Sequence, residues 1–255
     1  MIVNEVALSI VGPAFLAGLL VLATHVPLGR EVLKRGIIFI DLAIAQVAGL
    51  GVIAAAQFGG GLHGLQVQVT AFASALIGAL ALGWAERRVG QHQEALIGVV
   101  FVLAAAASVL LLANNPHGGE HLQELLVGQI LWVDWPQLLS LGVISAVVLT
   151  VWWSLGEHMG RTGFYILFAL AVTASVQLVG VYLVFSSLII PALASARLRT
   201  SHKTVAAYLI GASGYALGLL LSTVIDLPSG AVIVWTIATT GVLAILCFGE
   251  RAPSL

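Results

Sequence analysis

The sequence predicts an all-α polytopic membrane protein, a bundle of eight or nine transmembrane helices in one domain over residues 1–255. Three observations carry this prediction. Only 8% of the 255 residues are charged and 60% are hydrophobic, whereas a water-soluble domain carries about 25% charged residues, so too few charges exist to clothe a water-facing surface. The apolar runs are long, continuous and rich in Leu, Ala and Gly, not the alternating segments of a membrane barrel. The ten Lys and Arg residues all fall in alternate connections between those runs, as the positive-inside rule requires.

A span needs about 20 apolar residues. The segments 7–27, 36–57, 65–84, 95–113, 137–155, 204–222 and 230–248 qualify. Residues 7–27 are read as a retained first span, because no basic region or cleavage site marks a signal peptide. The stretch 163–196 has 34 residues without a charge, too many for one crossing. Gly180 and Pro191 are expected to break it into a full span and a shorter segment returning to the same side. With the N-terminus outside and the C-terminus cytoplasmic, Arg30, Lys34, Arg35, Arg87, Arg88, Arg161, Arg197, Arg199, Lys203 and Arg251 all lie inside. The loops 58–64, 114–136 and 223–229 contain no Lys or Arg. Trp84, Trp152 and Trp153 sit at inner ends and Trp132 and Trp135 at an outer one, as interfacial anchors do. Gly214 and Gly218 make a GxxxG, and Ala45 and Gly49 a weaker small pair; tight packing within the chain is expected there rather than a dimer seam.

Several function classes are excluded. A formal net charge of −1 gives nucleic acid nothing to bind. Cys247 is the only cysteine, so neither an internal disulfide nor a cysteine metal cluster can form. No G-x-x-x-x-G-K-[ST] occurs, so the chain does not bind ATP by a P-loop and is read as a non-enzyme without a resident cofactor. GGGLHG at 59–64 is a turn between spans.

Three stretches go beyond a generic membrane helix: SVQLVGVYLVFSSLIIPALASARLRT at 175–200, VIDLPSGAVIV at 224–234 and LLVGQILWVDWPQL at 125–138. In this order, with LG-x-x-V-x-x-R at 28–35 and IGVVF at 97–101, they resemble the membrane permease subunits of ABC transporters that import zinc, manganese or iron. The resemblance covers roughly residues 12–245. It implies a fold of the vitamin B12 permease type, a homodimer with a central pathway, two copies of a cytoplasmic ATP-binding cassette subunit, an extracytoplasmic metal-binding protein and a place in the bacterial inner membrane. It also implies that the segment 191–203, with Pro191, Ser195, Arg197, Arg199 and Lys203, is the coupling segment that docks into the ATPase. The basic residues alone would also serve topology, but topology requires neither the proline nor the small-residue run, which suit a short cytoplasmic helix.

Asp41 stands in an apolar run, where a carboxylate costs roughly 2.5–3.5 kcal/mol on insertion scales. In the resembling family the second span carries Asp and, four residues later, His, offered to a dication. Counted from LG-x-x-V-x-x-R, those positions here are Leu42 and Gln46, and Asp41 is one residue early. Asp41 and Gln46 lie five apart, about 140° around a regular helix, so they share a face only if a π-bulge intervenes. Three environments are open to Asp41: the transport pathway, which is the expectation; a partner at a helix interface; or the inner membrane boundary.

The outer loop NNPHGGEHLQE at 114–124 holds His117, Glu120, His121 and Glu124. H-x-x-E-H resembles the motif of inverted zinc peptidases, but Gly118 and Gly119 are expected to interrupt its helix, and no third ligand is apparent. Two readings remain, a mouth that collects metal through imidazole and carboxylate, with His63 joining, and a solvated loop that touches the binding protein. His25, His92, His158 and His202 are expected at the inner interface. The function expected is a permease importing a divalent cation, zinc first, by alternating access. The alternative from another class is a self-sufficient secondary carrier or channel with Asp41 as its ion site. No clear inverted repeat supports it.

Overall fold

The computed structural model describes residues 2–59, 65–89, 92–113, 115–155 and 159–249. His63, His158 and Arg251 lie outside the described residues. The helices are α1 (Ile2–Arg35), α2 (Ile40–Gly59), α3 (Leu65–Val89), α4 (Gln93–Leu112), α5 (Gly118–Val127), α6 (Trp135–Leu155), α7 (Arg161–Ala196), α8 (Lys203–Ile225) and α9 (Ser229–Phe248), with a 3-10 turn over Ile130–Trp132. Eight of them are long and apolar enough to cross a membrane. Only α5 is a short amphipathic helix. Helices satisfy every backbone group within themselves, which is why lipid permits them.

The 36 residues of α7 are two arms. Gly180 breaks them with φ 79° and ψ 164°, a region essentially reserved for glycine. The contacts of the arms show a hairpin. At its start, the Arg35 guanidinium lies 4.1 Å over the Phe164 ring, and Gln93 Nε2 donates to the Tyr165 hydroxyl at 2.6 Å. At Gly180 the backbone meets that of Gly128, just beyond α5, and the Gln129 N–H donates to the Leu178 carbonyl at 3.2 Å. On the way back, Leu188 sets its carbonyl against Gly29 in α1. After the helix ends, Leu198 pairs with Gly249. Both ends of α7 therefore lie at one end of the bundle, with Arg30, Lys34, Arg35 and Arg88. This is the basic end. Asp134, Asp226 and α5 lie at the opposite end.

The break at Gly180 agrees with the expectation, and the break at Pro191 does not. The second arm runs through Pro191 to Ala196, and α1 likewise runs through Pro13 and Pro27 to Arg35. A membrane helix tolerates proline where neighbouring groups re-satisfy its backbone. The short separate helix expected after Pro191 is consequently absent: Pro191 and Ser195 are buried within α7.

The core is built on α7, which buries residues of both arms from Phe164 to Ser195. Small residues allow the closest approaches. Gly214 and Gly218 sit against the backbone of Ile237 and Ile233 in α9, and Thr236 Oγ1 donates to the Gly214 carbonyl at 2.7 Å. The GxxxG thus packs α8 on α9 inside the chain. Trp84, Trp132, Trp135 and Trp153 are exposed at helix ends, whereas Trp152 packs against Phe164.

Gly180→Ala should destabilise the folded protein by about 1–3 kcal/mol from backbone conformation alone, and further from the collision of its Cβ with the Gly128 backbone. A thermal melt in detergent should show the loss. Gly98→Ala, whose Cβ would meet nothing within 4 Å, should melt like the parent.

Candidate functional site

At the end opposite the basic one, α5 and the 3-10 turn dip into the bundle. Leu125 of α5 inserts against Gly49, midway along α2, where any Cβ would collide with it. Gly128 adopts φ 71° to end α5, and Gly230 at the start of α9 lies against the Val127 carbonyl. These contacts seat α5 over a half-open cavity of about 510 Å³ lined by α2, α3, α5, α6 and α7. Its mouth carries His121, Glu124 and Trp132, its walls Gln57, Gln129, Gln137 and Gln177, and its floor Ala48 and Gly49. A second cavity of about 260 Å³ shares Gln137 and Gln177 and adds Gln68, Ser140 and Thr173.

The chemistry of the mouth comes from the first turns of α5. Gly118 and Gly119 do not interrupt a helix, as expected from the sequence; they begin one, with His117 preceding it. The H-x-x-E-H residues therefore share one helical face, but they form two pairs. His117 Nδ1 is 3.1 Å from Glu120 Oε2, with both side chains exposed and outside the cavity. His121 Nδ1 is 3.9 Å from Glu124 Oε2 on the rim. Gln129 Nε2 donates to Glu124 Oε1 at 2.9 Å and fixes that carboxylate. Among the described residues no group of three or more His, Cys, Asp and Glu gathers as a metal cage. The rim can offer one nitrogen and one carboxylate, a binding pair that leaves the remaining coordination positions to water.

Charge is partitioned along the bundle. Glu120, Glu124, Asp134 and Asp226 lie at the cavity end, and the stretch 113–156 between α4 and the loop after α6 holds three acids and no Lys or Arg. A surface of one sign attracts its counter-ions over about a Debye length, roughly 8 Å at physiological salt.

Asp41 is placed elsewhere. It occupies the first turn of α2 at the basic end, is 0% exposed and lines neither cavity. The side chain is enclosed among helices. Gln46 is also buried. The helix between them is regular, with no π segment, so the two project about 140° apart and form no joint site. His25 is likewise not interfacial. It is buried inside α1, where its Nδ1–H donates to the Val21 carbonyl at 2.9 Å. His92 and His202 are exposed at helix starts, as expected.

At the basic end, Arg197 and Arg199 are exposed on the turn between α7 and α8. The Arg199 N–H donates to the Phe248 carbonyl at 3.1 Å, and Lys203 Nζ donates to the Ala196 carbonyl at 2.9 Å. Lys203 thus caps α7, as cations do at helix C-termini, and the two arginines are held outward on a braced turn.

A bundle of this kind, with a polar cavity at one end and a basic platform at the other, is that of a multi-span membrane protein. The chain belongs to the ABC 3 transport family, which matches residues 7–162 and 154–248; the family comprises membrane permease subunits of ABC transporters. The chain is 26% identical over 193 residues to a protein of Chlamydia trachomatis serovar D named "Probable metal transport system membrane protein", covering 68% of this chain and 64% of that protein's length. It is 25% identical to the manganese transport system membrane protein MntC of Halalkalibacterium halodurans, over 85% of this chain and 80% of that one. It is also 25% identical to the high-affinity zinc uptake system membrane protein ZnuB of Haemophilus influenzae, over 87% and 91%. The fold matches a chain of PsaBC from Streptococcus pneumoniae in complex with Fab, with TM-score 0.78 and 19% identity over 99% of this chain and 97% of that one. It also matches a metal-chelate type ABC transporter in an inward-facing conformation, with TM-score 0.66 and 19% identity over 92% and 85%.

The geometry predicts which positions water reaches. In a Cys247→Ser background, Gln177→Cys should react with a membrane-impermeant thiol reagent added at the acidic end. Asp41→Cys should stay unlabelled from that end. Labelling of both would show the cavity to run further than the structure shows it.

Proposed function

We propose that the chain is the membrane subunit of an ABC importer for a divalent metal cation, zinc first, working as a homodimer with two copies of a separate ATP-binding subunit and an extracytoplasmic metal-binding protein. The observation that carries this reading is the cavity beneath the His121–Glu124 rim at the acidic end. A dication released there meets an attractive field, one imidazole and one carboxylate, a pair suited to zinc, and then amide walls that bind weakly enough to release it. The named activities of the manganese and zinc relatives support a metal as cargo. The N-terminus outside and the C-terminus in the cytoplasm of a bacterial inner membrane follow from the positive-inside rule. In that orientation the acidic mouth faces the binding protein and Arg197 and Arg199 face the ATPase.

Uptake of radiolabelled zinc by the assembled transporter tests the rim. His121→Ala with Glu124→Gln should raise the half-saturating concentration about tenfold, equivalent to roughly 1.4 kcal/mol, and leave the maximal rate within twofold. His117→Ala with Glu120→Gln, outside the cavity, should have the smaller effect. Uptake indifferent to the rim pair at every concentration would remove the cavity from the path.

Charge reversal tests the platform. Arg197→Glu with Arg199→Glu should abolish co-purification of the ATP-binding subunit while the permease still inserts and keeps its melting profile, because neither side chain is buried. An intact complex would place docking elsewhere.

A further inference from the structure

Asp41 presents a problem that the cavity does not use. Both its carboxylate oxygens are buried and have no hydrogen-bond partner, although the residue is completely enclosed. The Leu42 and Asp41 backbone N–H groups of the first turn lie near the carboxylate, and the charged group nearby is another acid, Glu94. Glu94 reaches from the first turn of α4 to the start of α2, where its Oε1 accepts the Phe39 N–H at 3.1 Å. Its second oxygen, Oε2, is buried and unpartnered as well. Three carboxylate oxygens from two helices thus lie inside the protein without a hydrogen bond of ordinary geometry. The nearest basic residue in sequence, Arg35, is engaged otherwise: its Nε donates to Glu31 Oε1 at 2.8 Å, and its guanidinium covers Phe164. The N-termini of α2 and α4 place partial positive charge near both acids, but about half an elementary charge at each does not supply the missing ligands.

A buried charge left uncompensated is among the costliest features a fold can carry. A second acid close by adds repulsion. A divalent cation offsets both costs at once, since its charge balances the acids and it gives the unpartnered oxygens a ligand bond.

We infer that Asp41 and Glu94 form a second dication site, at the basic end of the bundle between the starts of α2 and α4, for a cation that prefers oxygen ligands. Carboxylate oxygens completed by water and backbone carbonyls suit Mn²⁺ better than zinc, which favours imidazole and thiolate. Glu94 is only partly buried, so the ion enters from the basic end. The site is separate from the His121–Glu124 rim. It is also separate from the Asp and His positions of the family, which are Leu42 and Gln46 in this chain. It rests on the proposed function only in taking the ion to be divalent.

Mn²⁺ binding to the purified full-length permease in detergent, followed by loss of the free-ion electron paramagnetic resonance signal, tests the site. The parent should bind one Mn²⁺ per protomer that Asp41→Asn does not bind. Glu94→Gln should weaken that binding about tenfold or more, about 1.4 kcal/mol, and the double variant should match Asp41→Asn, because the two residues share one ion. His121→Ala with Glu124→Gln should retain this ion, and excess zinc should displace it only weakly. If Asp41→Asn fails to fold, Glu94→Gln decides alone, with an unchanged melting temperature without metal and loss of the upward shift that Mn²⁺ gives the parent. Equal Mn²⁺ binding by the parent and by the acid variants would overturn the inference, leaving the two acids to share a proton. Loss of the ion in the rim variant alone would overturn it too, while leaving the transport reading intact.

Discussion

The fold depends on one close approach of backbone to backbone, that of Gly128 to Gly180. The left-handed Gly180 turns α7 back on itself, and the left-handed Gly128 ends α5 against that turn. A side chain on either would strike the other's main chain. Without the turn, the 36 residues of α7 would form one rod of about 54 Å, far longer than the hydrocarbon core of about 30 Å. The hairpin instead delivers Arg161 and Arg197 to the same end. It also gives the bundle its central element, packed by α1, α2, α3, α6, α8 and α9. The lid over the cavity is then a consequence. α5 can dip as far as Gly49 only because its C-terminus is anchored at the bend of α7.

Much of this was legible in the residues. Charge-poor runs marked every membrane helix, and the lysines and arginines marked one end. Gly180 was visible as a break because a charge-free stretch of 34 residues cannot cross once. Pro191 misled for a physical reason. Proline is a reliable breaker where water competes for the freed carbonyl, and inside a packed membrane bundle it is absorbed. The paired glycines 118 and 119 misled in the opposite direction. Helix propensity disfavours them, yet Gly118 is needed where the helix turns back on α4: a Cβ there would collide with Leu112. Tertiary contact outweighed propensity.

The site divides similarly. The histidines and acids of the outer loop could be found by residue type, but their split into a cavity pair and an outlying pair depends on how α5 rotates above the cavity. The glutamine walls could not be found, because Gln57, Gln129, Gln137 and Gln177 come from four separate segments with no motif. Asp41 was conspicuous in the sequence, while Glu94, the residue that gives it meaning, looked like an ordinary acid in a helix first turn.

On the transport reading, α2 connects the two ends. The cavity floor at Ala48 and the carboxylate at Asp41 are seven residues apart on one regular helix, about 10 Å along its axis. Between them Ile44 and Ala45 are completely or almost completely buried, so packing closes this face of α2 below the cavity. An ion resting on the amide walls therefore cannot proceed while α2 keeps its present contacts. On that reading, passage requires α2 to part from its neighbours in its lower half, the half that Glu94 ties to α4 through the Phe39 N–H. A dication held by those acids would join α2 to α4 at the point where separation must begin, and an empty site would leave two repelling carboxylates there. Under both proposals, its occupancy would bear on the movement that the turn of Arg197 and Arg199 would transmit.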